Sequence, residues 1–270
     1  MREPRFAGYF YPRYRKDLES MLASFFEEAR KNLKKIDKKV IGLVVPHAGF
    51  IYSGKTASFG YFHLPTKIKT AVIIGPNHTG YGKKVSVYSK GKWKTPLGEV
   101  EIDEELSREI IENSRYAEED EIAHMEEHSI EVQIPFLQYL YGNSFKIVPI
   151  CLMDQSEEVA EDLSESILKT KKDFIIISSS DLTHYEDYKS VVRKDETIIE
   201  AIKSMNLKNF YLTLRKIKAT ACGYGAIATL ISITEKLNGK IELVKYSTSA
   251  ETSRDYEHVV GYASLISYIE

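Results

Sequence analysis

Short unbroken apolar runs alternate with stretches of helical spacing along this chain. Val40, Ile41, Leu43, Val44 and Val45 are interrupted only by Gly42, the makeup of a strand buried on both faces of a sheet. The runs at Thr70–Ile74, Lys146–Cys151 and Phe174–Ser178 read the same way, and Ile241–Ser247 and Val259–Ile269 close the chain as strands. Between them the spacing predicts helices. Leu18, Met21, Leu22, Phe25 and Phe26 share one face, and further helices are expected near Ser53–His63, from Asp103 as cap to about Asn113, over Ser156–Thr170, at 190–204 and 206–215, and onward from Thr220–Gly225 to about Leu237. Ala123–Tyr141 reads as one strong helix, kinked or divided at Pro135. Residues 84–102 read as an antiparallel excursion. Strands alternating with helices predict an α/β fold, a central mostly parallel or mixed sheet flanked by helices, in a single domain over 1–270.

Where the strands end is the informative part. Pro46 cannot donate a ladder hydrogen bond, so the first strand should stop there and deliver His47 just beyond. The second run does likewise through Gly75, Pro76 and Asn77 to His78. The fourth ends at Ser179-Ser180-Asp181-Leu182-Thr183-His184. Ligands of open α/β sheets collect at this carboxyl edge, and neutral imidazoles are the commonest metal ligands.

Composition narrows the field. Of 270 residues 43% are apolar, enough for a sizeable core, and 28% are charged with a net charge of −2. That balance gives a nucleic-acid partner no electrostatic support. The opening MREPRF lacks an apolar targeting core, and no window approaches a membrane span. Two cysteines, Cys151 and Cys222, exclude a disulfide framework or zinc ribbon and suit a reducing cytoplasm, the expected location. Cys151 lies inside an apolar strand and reads as core. Cys222 sits between Ala221 and Gly223 at a predicted helix start, where the helix end favours the thiolate that binds metal or attacks carbon.

Two further patterns carry chemistry. Asp181 near His184 can fix an imidazole tautomer, or simply cap a helix. His124-Met125-Glu126-Glu127-His128 matches H-x-x-E-H, which on a continuous helix would put two imidazoles on one face with Glu127 as base, a zinc-protease arrangement. Short motifs of this kind recur by chance.

Six ordered segments together resemble the Memo family: VPHAGFIYSG at 45–54, GPNH at 75–78, EHSIEVQIPFL at 127–137, SSDLTHY at 179–185, the Cys222 segment and VGYAS at 260–264, with AGYFYP at 7–12 similar to its amino-terminal signature. The resemblance implies the fold of class III extradiol dioxygenase catalytic subunits, non-haem iron enzymes that open catechol rings. It places His47 and His78 at that fold's two histidine ligands and Cys222 at the third, where the ring-opening enzymes use a glutamate. His184 falls near their acid–base histidine, beside Asp181. The implied cofactor is a transition metal, iron by the resemblance, with copper or zinc favoured by the softer thiolate. A fold alone does not carry ring cleavage with it.

The leading expectation is therefore a metal-binding, redox-capable protein with ligands His47, His78 and Cys222, and His184 as acid–base group oriented by Asp181. A small-molecule or peptide ligand would occupy the pocket. Two alternatives stand beside it. The same pocket can be a catalytically silent binding module for a peptide or protein, which 18 tyrosines and 11 phenylalanines make feasible. Alternatively Cys222 acts as a metal-free nucleophile with a histidine as base. Neither the oligomeric state nor the substrate is readable from the residues.

Overall fold

The apolar runs become neighbours in one sheet. The computed structural model describes all 270 residues. Its strands are β1 (Lys39–Val45), β2 (Thr70–Pro76), β3 (Val85–Val87), β4 (Lys92–Thr95), β5 (Gly98–Ile102), β6 (Ala117–Glu119), β7 (Lys146–Leu152), β8 (Ile175–Ser179), β9 (His184–Glu186), β10 (Lys240–Thr248) and β11 (Val259–Ile269). The main path runs β10-β11-β1-β8-β2-β7-β3-β6. Its centre, β1-β8-β2-β7, is parallel, while β11 and β10 add an antiparallel flank and β3 pairs antiparallel with β7. The result is an α/β fold with a large, mixed, mostly parallel sheet flanked by helices.

Both faces are dry, as continuous apolar runs require. Ile41, Val44, Val72, Ile74 and Ile176 pack on one face against the helix Tyr224–Lys236, and Leu43, Val45, Ala71, Ile73 and Ile177 pack on the other. Each Val, Leu or Ile side chain so removed from water contributes about 1.5–3 kcal/mol. Gly42 breaks the β1 run because a Cβ there would lie 2.6 Å from Leu230 Cδ1 of that helix.

The segment 122–141 departs from the single helix its apolar stripe predicts. It divides into a short turn of helix at Ile122–Met125, a 3-10 turn at Glu131–Gln133 and a helix Ile134–Tyr141. Pro135 stands in the first turn of the last, where a missing N–H costs nothing. Two buried carboxylates account for the break. Glu127 accepts from the backbone N–H groups of His78 and Ser129. Glu131 accepts from Arg2, from Arg5 N and Phe6 N, and from Tyr11 Oη. These tertiary bonds outcompete the local helix, and through Glu131 they fasten residues 2–11 across the sheet edge.

Candidate functional site

At the carboxyl edge of the parallel strands the loops enclose a cavity of about 740 Å³ lined by His47, His78, His128, Asp181, His184 and Cys222. His47 follows β1 and is 2% exposed. Its neighbours assign its tautomer. Ser179 Oγ accepts from Gln133 Nε2 at 2.7 Å and donates to Ser129 O at 2.6 Å, so at 2.9 Å His47 Nδ1 must be the donor to it. The Nε2 lone pair is therefore left facing the cavity, 3.1 Å from Cys222 Sγ.

His78 is carried by the turn after β2, where Asn77 Oδ1 accepts from Thr79 N and Gly80 N. Its Nδ1 donates to Glu127 at 2.9 Å, which leaves Nε2 free. This is the carboxylate–imidazole pairing that orients metal-binding histidines. Burial works against the Glu127 charge, but the hydrogen bond and charge of His78, aided by His128 and Ser129 N, hold it down at about 2. Reciprocally, burial disfavours the His78 cation, yet Glu127 outweighs it and raises that imidazole above its usual value.

His128 is the residue that sequence reasoning assigned to the wrong partner. The helix ends at Met125, so His124 and His128 do not share a face. His124 is fully buried, with Nε2 donating to Ser86 O at 3.0 Å, whereas His128 stacks on His78 with ring centroids 4.7 Å apart and lies 5.3 Å from His47. The H-x-x-E-H zinc-protease geometry is absent, and Glu127 serves His78 instead. Phe10 and Phe6 of the docked amino-terminal segment pack on the outer face of His128, 4.4 and 5.6 Å away. Burial and the charge of His47 drive His128 down to about 3, and burial followed by the charge of His78 does the same to His47. Both imidazoles are neutral at physiological pH, the form that ligates a metal.

Cys222 lies just before the helix Tyr224–Lys236, pressed against β8. A Cβ on Gly223 would fall 2.2 Å from Ser179 O, and Gln155 fastens the turn from the other side through Cys222 O and Gly225 N. Sγ accepts from Asp181 N at 3.2 Å. The expected thiolate is not favoured here. Burial pushes the thiol well above its ordinary range and the nearby Asp181 carboxylate adds to this, outweighing the helix end. A protonated Cys222 donates to His47 Nε2. Cys151, as expected, is buried in β7.

Asp181 and His184 lie in the same cavity but do not pair. The Asp181 carboxylate accepts from His47 N and Ala48 N at 2.8 and 3.3 Å and stands 3.9 Å from His47 Nε2. Burial raises its pKa. His184 is positioned by Leu182 O and Thr220 O, at 2.8 and 2.9 Å from Nδ1. Two carbonyl acceptors fix the proton on Nδ1 and leave His184 Nε2 toward the cavity.

Donor atoms close enough to share one ion form two groups, His47 with His78 and His128, and His47 with Asp181 and Cys222. His47 belongs to both, while His78 and Cys222 do not share a group. The second group is a candidate His/Asp/Cys metal-binding group. No helix is long and apolar enough to cross a membrane.

The Memo-like protein family matches residues 2–266 of the chain. A MEMO1 family protein of Thermoplasma acidophilum is 46% identical over 269 residues, covering 99% of each chain. One of Thermoplasma volcanium is 45% identical over 267 residues, 98% of each. One of a Thermotoga species is 46% identical over 277 residues, 98% of this chain and 99% of its own.

Proposed function

Because this chain belongs to the Memo-like protein family, we propose that its carboxyl-edge cavity is a transition-metal centre with His47, His78 and Cys222 as ligands and His184 as the acid–base group beside it. The observation that carries this reading is the His47 lone pair, fixed by Ser179 and Gln133 and shared between the two donor groups. The donor set fits a metal on its chemistry. The neutral His47 imidazole and the Glu127-paired His78, their Nδ1 protons committed elsewhere, point Nε2 to the site, where a metal would take the place of any proton on His78, and a thiol and a carboxylate stand alongside. Two ligands of one tetrahedral ion lie about 3.5 Å apart, so the 3.1 Å between His47 Nε2 and Cys222 Sγ needs only a small opening. His78, which shares a group with His47 but not with Cys222, has to close toward the same ion, and His128 offers a third imidazole in that group. The thiol favours copper or zinc, and an iron centre of this kind would be tuned away from the two-histidine, one-carboxylate type. When bound, the ion would act as a Lewis acid or redox partner toward a small oxygen-bearing substrate.

The protein's own residues divide the remaining work. Asp181 holds the His47 backbone and receives part of the positive charge of an ion. His184, with Nε2 free and Nδ1 anchored on two carbonyls, is placed to take or return a substrate proton. Phe10, Tyr52 and Tyr262 supply apolar walls. The test is metal content after anaerobic purification of wild type and of the His47→Ala, His78→Ala, His128→Ala and Cys222→Ser variants. His47→Ala should lose bound metal, with smaller losses in the others. Equal metal in all five proteins rejects the site.

A binding role for the same cavity is the second reading, supported by the exposed tyrosines at its mouth, Tyr185 at 73% and Tyr52 at 39%. Partner binding that survives loss of His47, His78 and Cys222 would favour it. The elevated Cys222 pKa weighs against a metal-free nucleophile.

A further inference from the structure

A second cavity, of about 480 Å³, opens at the opposite edge of the sheet, where β1, β2 and β8 begin. The seven residues of β1 separate it from the His47 cavity by about 23 Å. Seven lysines line it against a single acid, Asp173, although the chain as a whole carries a charge of −2. Lys38 and Lys172 have acidic partners, Glu270 at 3.8 Å and the Glu105–Glu109 pair at 3.0 and 2.9 Å. The carboxyl ends of the helices Glu157–Lys169 and Tyr224–Lys236 also reach this edge, and their partial negative charge offsets part of the lysines' positive charge. Lys35 precedes β1, Lys39 opens it, Lys67 and Lys69 lead into β2, and none of the four forms an ion pair.

The floor beneath this rim is apolar and incompletely covered. Ile36, Ile68 and Phe174 are half-buried, and Leu237 is 39% exposed. His63, only 6% exposed, lines the same cavity. Its Nδ1 accepts from Ile36 N at 3.2 Å, which puts its ring proton on Nε2, a donor with no protein partner. The volume is that of a small-molecule pocket. A concave site with a greasy floor, on a chain of net charge −2, suits a compact amphiphile rather than a nucleic-acid backbone.

We propose that this basal cavity binds a small amphipathic anion, a phosphate or diphosphate head on an apolar body. The lysines before β1 and β2 hold the head as point charges, and Ile36, Ile68, Phe174 and Leu237 receive the body.

Isothermal titration with octyl phosphate, inorganic pyrophosphate and octanol at about 50 mM salt separates the contributions. Octyl phosphate should bind most tightly, pyrophosphate weakly and octanol least, with the first weakening as salt rises. The exposed double substitution Lys35→Glu/Lys67→Glu should weaken octyl phosphate by about tenfold or more while leaving the thermal midpoint and the metal content unchanged. A second variant, Leu237→Asn, should weaken octyl phosphate but not pyrophosphate. The proposal is overturned if octyl phosphate fails to bind below about 1 mM, if octanol binds as well as octyl phosphate, if the charge reversal has no effect, or if a single-stranded oligonucleotide binds more tightly than octyl phosphate.

Discussion

Ser179 Oγ accepts a hydrogen bond from His47 Nδ1–H at 2.9 Å and donates its own to Ser129 O. This relation connects the end of β8 to the end of β1 and decides which nitrogen of His47 faces the cavity. Gln133 completes it by donating to the same oxygen. Removing the acceptor with Ser179→Ala should release the tautomer and lower metal affinity by about 10–100-fold, the usual effect of losing such a supporting bond. The 15N shifts of the His47 ring report the tautomer directly, and unchanged shifts would refute the assignment.

The Arg2–Glu131 pair is buried at both ends, with a 2.5 Å contact and side-chain exposures of 1% and 0%. The Arg2 guanidinium also lies 4.1 Å over the Trp93 ring. Arg2→Met strands the Glu131 charge and should cost about 3–5 kcal/mol in urea denaturation. Arg2→Met/Glu131→Gln removes both charges and should cost less than the sum of the two single substitutions. Additive losses would show that the two groups do not interact.

Asp195 carries a pH signature. It is fully buried, accepting from Thr183 N at 3.0 Å and Tyr246 Oη at 2.8 Å. Burial raises it from an ordinary 3.8 to about 6, against those two donors. A carboxyl whose folded pKa is raised binds its proton more tightly in the folded state. Its contribution is complete below pH 3.8 and fades as pH rises through about 6. Other carboxylates titrate in the same window, so the comparison is with Asp195→Asn, which has no proton to lose. Relative to that variant, wild type should gain up to about 3 kcal/mol between pH 7 and pH 4, measured as unfolding free energy. A pH-independent difference would contradict the shift.

Gly223→Ala tests how tightly the cysteine turn is pressed on the sheet. The new methyl group would meet Ser179 O, a backbone atom that cannot swing aside, at 2.2 Å. The thermal midpoint should fall by an amount corresponding to about 1–3 kcal/mol, and metal content should fall with it as Cys222 moves away from His47. A midpoint and metal content equal to wild type would mean the turn has room to spare.

Much of the scaffold was legible from periodicity. Four doubly buried strands, the helix capped by Asp103 through Leu106 N, and the final strand appear where the apolar pattern put them. Those elements are set by local repeats and buried area, which a single sequence displays. The segment 122–141 was not legible in the same way. Its apolar stripe fits a helix, but Glu127 and Glu131 take their partners from residues 49 and about 120–129 positions away.

The residue types at the strand ends, with Cys222 before its helix, were determined by the sequence itself, because strand termination by proline and a turn is a local matter. Their relations were decided by the tertiary structure. Only the folded chain sets His47 between two donor groups, brings His128 in place of His124, gives His184 to two carbonyls instead of Asp181, and keeps the Cys222 thiol protonated. Each of these depends on desolvation and on hydrogen-bond partners far along the chain, and neither quantity exists until the sheet and its loops have closed.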